Sequence, residues 1–158
     1  MFREVARKKQ ALSQEQCIHI LKSELRGVLS VLGDDGYPYG LPMNHWYNED
    51  DGCLYFHSGK VGHKIDAMKD YDKASFCVMD GGTKAQDDWA LNFNSVIVFG
   101  RLEIVVDREK TIEMTRQLSY HFTNDHAYVE YEIEKAADRT LCFRLTPEHI
   151  TGKRVNEK

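Results

Sequence analysis

Apolar and polar positions along this chain follow two periods, and the periods change in a regular order. Ser13 and Gln16 have the spacing of a helix capping box, and Cys17, Ile18, Leu21 and Leu25 then fall on one helical stripe, with Gly27 expected to end it. The period then shortens to two. Val28–Leu32 reads as a strand, Gly33–Gly36 as a turn carrying the Asp-Gly hairpin signal, and 39–47 as a second strand. Pro42 within it cannot donate to a ladder and marks an edge or a bulge. After the turn at 48–52, Cys53–His57 is a third strand, and the three together predict an antiparallel meander. A short amphipathic helix around Ile65–Met68 precedes Ala74–Met79, which is apolar on both faces and therefore expected at the sheet centre. Ser95–Val106 is a long fifth strand whose Gly100 suggests a bulge or sharp bend. Asp107 caps a helix with Ile112, Met114, Leu118 and Phe122 on one face. A more polar helix follows at about 127–137, and Leu141–Leu145 is a sixth strand that Pro147 is expected to end.

Six strands joined mostly as hairpins, with helices flanking them, predict an α+β domain built on a small antiparallel barrel. The absence of βαβ alternation and of a GxGxxG fingerprint argues against a Rossmann reading. Residues 1–12 read as a flexible N-terminal arm, 13–153 as one domain and 154–158 as a tail. A chain of 158 residues supports one core, and 42% apolar with 29% charged residues is a globular composition.

A formal charge of −4 argues against a nucleic-acid partner. No apolar run reaches the ~20 residues of a membrane span, and the N-terminus has no apolar signal region. Cys17, Cys53, Cys77 and Cys142 are dispersed in apolar patterns with no CxxC, which reads as buried reduced thiols in a cytoplasmic protein.

Against this acidic background, residues 57–64 (His-Ser-Gly-Lys-Val-Gly-His-Lys) form a cationic island between a strand and a helix. One reading is a solvated basic turn. The other is an anion site, in which Lys64 and His63 lie in the first helical turn, Ser58 offers a hydroxyl, and Gly59 and Gly62 allow close backbone approach. The P-loop spacing is absent, which argues against an ATPase. His57 and His63 lack a third ligand spaced near them, so a metal site is not expected. Pro42, Met43 and Asn44 read either as an ordinary edge strand or as an irregular one whose free backbone groups and amide meet a planar heterocycle. Trp46 and Trp89 suit a core or an interface, and Trp89, in the irregular 80–94 segment, also suits a lid. Nothing supports hydrolytic chemistry, since no nucleophile elbow or Ser-His-Asp order is present.

Four segments in this order, 27–32, 40–44, 55–64 and 95–100, together with Gly152-Lys153, resemble the flavin-binding split β-barrels of the pyridoxamine 5'-phosphate oxidase-like superfamily, specifically its nitroimidazole-resistance branch. The resemblance covers about 13–153. It implies a six-stranded split barrel and a homodimer with FMN in clefts between subunits. Ser58, Lys60, Gly62, His63 and Lys64 would then surround the phosphate and ribityl chain. Pro42, Met43 and Asn44 would lie along the flavin ring, and His57 would stand near it on the substrate side. Trp89 or Asn92 would reach the partner's flavin. The 80–94 segment follows no strict family pattern, and the C-terminal arginine signature of true pyridoxamine-phosphate oxidases is not matched, which argues against vitamin B6 chemistry.

The function this implies is an FMN-dependent oxidoreductase passing electrons to a small organic acceptor, such as a nitro-heterocycle or quinone. FAD fits the same phosphate loop. A non-catalytic flavin-binding module and a haem-binding split barrel are the alternatives.

Overall fold

The computed structural model describes residues 1–156. Seven strands form one curled antiparallel sheet in the order β2-β1-β5-β6-β7-β4-β3. They are β1 (Arg26–Leu32), β2 (Pro38–Asn44), β3 (Trp46–Asn48), β4 (Cys53–Gly59), β5 (Lys73–Met79), β6 (Phe93–Ile104) and β7 (Thr140–Val155). Four helices flank them: α1 (Gln14–Ser23), α2 (His63–Asp70), α3 (Arg108–Tyr120) and α4 (His126–Ala136). This is the α+β split barrel, with one strand more than the six expected.

The extra strand arises because 39–47 is not one strand but two, β2 and β3, which part at His45. The meander is corrected with it. β1 pairs with β2 and β3 with β4, but β2 and β3 occupy opposite edges of the sheet. His45 alone separates them in sequence, so the sheet must curl until its edges approach. The His45 ring is fully buried. Its Nε2 bonds the Leu21 carbonyl at 2.8 Å, and its edge meets Phe76.

Two further expectations change. Pro147 does not end the last strand. β7 continues to Val155, past the first residues expected in the tail, and 157 and 158 lie outside the described residues. The strand survives because the register shifts at Phe99/Gly100: Phe99 faces His149 and Gly100 faces Pro147, so Glu148 is the extra residue of a bulge. Gly100 is obligatory there, because a Cβ would collide with the Thr146 carbonyl. Gly27 does not terminate α1, which stops at Ser23, but lies inside β1 against Phe76.

The predicted start of α1 is observed. Ser13 Oγ accepts from Gln16 N at 3.2 Å, and Gln16 Oε1 accepts from Ser13 N at 2.9 Å. Asp107 caps α3, accepting from Lys110 N. β5 sits centrally, between β1 and β6.

The core lies on the concave face of the sheet. Leu29, Val31, Phe76, Val78, Val96 and Val98 meet Cys17, Ile20 and Leu21 of α1 and Ile65 and Met68 of α2. At its centre Phe56 stacks on Phe143 and meets Phe76 edge-on, each at 5.1 Å. The opposite face stays apolar and open: Val28, Cys77 and Ile97 share one cross-strand row, and Phe99 lies two residues along β6 from Ile97. The N-terminal arm reaches this face, where Phe2 stacks on His149 and Phe99.

Burial holds the His45 pKa down at about 4, with the His121 charge adding to the depression and the Leu21 carbonyl opposing it. Its Nδ1 has no partner among the described residues, so protonation would bury an unpaired N–H. Because the folded pKa lies below the ordinary 6.5, this group's contribution to stability is complete above pH 6.5. It is lost as the pH falls from 6.5 to about 4, and amounts to about 3 kcal/mol. Urea titrations at pH 7.5 and 4.5 should show this acid destabilisation, and His45→Gln should flatten it.

Candidate functional site

β4 delivers the cationic island. The strand extends through Ser58 and Gly59, so only 60–62 form the loop, and α2 starts at His63. Alternation along β4 fixes the side chains. Phe56 points into the core, so His57 points out, toward α3 and α4. Gly62 is the N-cap of α2, at φ +128, a conformation that a side chain strains. No side chain caps this helix. The Gly62 carbonyl accepts from Ile65 N and Asp66 N, which leaves the N–H groups of His63 and Lys64 at the open, positive end of the helix. Lys60 and Lys64 form no ion pair with any described residue.

Two residues of the island are already engaged. The Ser58 hydroxyl donates to the Gly59 carbonyl at 2.7 Å. The His63 ring stacks on Tyr39 at 4.2 Å and lies 3.6 Å from Asp34, beside the β1–β2 turn. What His63 brings to the open loop is thus its backbone N–H, while its ring ties the loop to the hairpin. Nothing in the sequence singles out Tyr39 or Asp34. The period-two pattern that places Tyr39 on β2 gives no sign of its cross-loop contact.

That contact orients β2 relative to the loop. Tyr39 lies beside the loop, and Asn44 is five residues further along the strand, roughly 17 Å away. β2 is a sheet edge, so the outward backbone groups along Pro42–Asn44 have no strand partner, and β4 lies close across the split. Pro42 is exposed, Met43 turns into the core, and the Asn44 amide oxygen accepts from Arg26 Nε at 2.7 Å. An elongated molecule with an anionic end can lie here, its charge at the loop and its body along β2.

His57 lines a cavity of about 150 Å³ between β4 and the α3–α4 hairpin. The ring is open to solvent on one side, but its surroundings exclude enough water to lower its pKa below the ordinary value. It is neutral at pH 7, with one nitrogen to donate and one to accept. Cys142, opposite it in β7, is pushed up to about 12 by burial and stays a thiol. Among the described residues no three His, Cys, Asp or Glu side chains converge as a metal site.

Trp89 and Asn92 are not brought to this place. They lie in the β5–β6 connection, whose end pairs with Val155 (Phe93 opposite Val155), whereas His57 pairs with Cys142. Thirteen residues of β7 separate the two points, roughly 40 Å if fully extended. Trp89 is 76% exposed, and Asn92 keeps a buried amide oxygen with no partner.

A family model described as "Pyridoxamine 5'-phosphate oxidase" matches residues 13–154. No curated protein matches the chain significantly. Among solved structures, a candidate 5-nitroimidazole antibiotic resistance protein from Bacteroides thetaiotaomicron is 20% identical, with a TM-score of 0.78 over 91% of this chain and 86% of its own. The FAD binding protein from Mycobacterium smegmatis is 21% identical, with a TM-score of 0.67 over 94% and 99%. An FAD and haem binding protein from the same organism is 18% identical, with a TM-score of 0.74 over 95% and 74%. At these identities the likeness establishes a shared fold.

The geometry of the loop gives one direct expectation. A Cβ at Gly62 would meet nothing within 4 Å, so Gly62→Ala tests conformation without a clash. It should cost about 1–3 kcal/mol in chemical denaturation.

Proposed function

The chain belongs to the pyridoxamine 5'-phosphate oxidase family, and we propose that it is a flavin-binding oxidoreductase that passes electrons to a small organic acceptor. The observation that carries the reading is the uncapped start of α2, with Lys60 and Lys64 beside it, at one end of the open edge strand β2. The residues fit the cofactor. The N–H groups at the helix start and the two lysines, neither in a salt bridge with a described residue, suit a phosphate, and Lys60, Gly62, His63 and Lys64 would hold it. The exposed backbone of Pro42–Asn44 and the Asn44 amide would border the ring. A single uncapped helix start at this end of β2 suits FMN and its one terminal phosphate. The solved neighbours named for FAD support flavin as the class.

A bound flavin supplies the two-electron redox chemistry. The protein fixes its phosphate, borders its ring and excludes water. His57, neutral and without a hydrogen-bond partner among the described residues, holds a proton at one ring nitrogen for the acceptor side. The nitroimidazole-resistance neighbour supports a nitro-heterocycle as the acceptor.

The same reading takes the active form to be a homodimer. The open apolar row of Val28, Cys77 and Ile97 is a surface that a second copy can cover. Trp89 and Asn92, in the β5–β6 connection and outside the lining of the cavity beside His57, would act on the partner's flavin. A haem-binding reading is favoured by the FAD and haem neighbour and by a flavocytochrome neighbour from Azotobacter vinelandii. The cavity beside His57 is much smaller than a macrocycle.

An absorption spectrum of the purified protein should show two flavin bands, and a Soret band in their place would overturn the reading. Chromatography of the released cofactor separates FMN from FAD. Lys60→Ala with Lys64→Ala should weaken flavin binding roughly 100-fold with the fold intact by circular dichroism; full retention would place the phosphate elsewhere. Anaerobic photoreduction followed by an acceptor screen separates an enzyme from a binding module, which would hold flavin without turnover. Ile97→Glu should convert a dimer to a monomer in light scattering and release flavin.

A further inference from the structure

The cavity beneath the α3–α4 hairpin carries polar groups that the flavin reading does not use. Its walls are apolar where Ile112, Ile133 and Ala136 line it. Four hydroxyl-bearing residues also line it, and three of the hydroxyls are committed: Thr111 donates to the Val105 carbonyl, Ser119 to that of Thr115 and Thr140 to that of Ala136. The fourth, Thr115 Oγ1, is buried and has no hydrogen-bond partner among the described residues.

Glu132, half-buried on α4, lines the same space and forms no ion pair or hydrogen bond with any described residue. Two arginines of the helical hairpin are spoken for. Arg116 is held by Glu113 and Glu130, and Arg108 by Asp138. An unpaired carboxylate, an unpaired hydroxyl and the neutral His57 ring therefore surround one small apolar chamber.

We propose that this chamber binds a compact one-ring aromatic molecule bearing a cationic or N–H-rich head group, with Glu132 receiving the head, Thr115 and His57 completing its hydrogen bonds, and Ile112, Ile133 and Ala136 packing the ring. The size fits, since a cavity of roughly 150 Å³ with apolar walls accepts a benzene-sized ring. The charge selects. A carboxylate with few polar neighbours favours a cation or an N–H donor and disfavours an anion of the same shape. That the occupant is the electron acceptor rests on the flavin reading; that the chamber binds such a molecule does not.

Benzamidine and benzoate form a near-isosteric pair of opposite charge, and calorimetry on the protein as purified, with its cofactor in place, compares them. Benzamidine should bind at least roughly tenfold more tightly than benzoate, and Glu132→Gln should remove most of that preference. Thr115→Val should weaken benzamidine binding several-fold, and Ala136→Leu, which fills the chamber, should abolish it, with thermal melts reporting that each variant is folded. Equal or tighter benzoate binding, or a preference that survives Glu132→Gln in folded protein, overturns the assignment. The absorption spectrum of the same sample separates the two readings. Protein without flavin bands that still prefers benzamidine overturns the flavin reading alone, and flavin-loaded protein that prefers benzoate overturns the chamber alone.

Discussion

The site depends on Phe56 being inside. That ring is held between Phe143 of β7 and Phe76 of β5, so it joins the strands on the two sides of the barrel at the centre of the core. Burying such a side chain contributes roughly 2–3 kcal/mol, and the aromatic pairs add to it. With Phe56 fixed inward, the pleat leaves the next residue no choice. His57 stands outside under the helical hairpin, and the strand runs out two residues later into the loop that starts α2. The histidine, the loop and the helix start are positioned by one packing decision.

β4 thereby separates two electrostatic environments that are close in sequence. Past Gly59 the chain presents lysines and unpaired N–H groups. Beside His57 the helices present a carboxylate and a hydroxyl. Arg108–Asp138 and Arg116–Glu130 pair within the hairpin region and keep the nearby arginine charges from spreading into the chamber. The surface ion pairs add little to stability themselves; their effect is to leave particular groups unneutralised.

Much of the barrel was legible in the sequence, because caps and alternation are local. The Ser13–Gln16 box, the Asp107 cap, the bulge at Gly100 and the helix start after Gly62 all follow from residues a few positions apart. The division at His45 was not legible for a physical reason. Met43, His45 and Tyr47 are all buried, so the period of two runs unbroken through the point where the chain changes edges. Only the pairing partner changes, and that information lies elsewhere in the chain. Pro147 misled in the opposite direction. A proline ends a regular strand, but opposite a bulge its missing N–H costs the ladder little. In the site, the cationic island announced itself by composition. Thr115 and Glu132 did not, because polar residues on helices read as solvated until the hairpin closes over β4.

The one-residue passage from β2 to β3 has a mechanical consequence. Two edges of a seven-stranded sheet are stitched together covalently through His45, whose ring is itself locked to the end of α1. At that seam the barrel cannot gape to admit a molecule. The α3–α4 hairpin carries no such stitch. It hangs from β6 and β7 by its two ends and covers β4 without pairing to it. The space beside His57 is therefore bounded by helix packing, which no strand pairing locks.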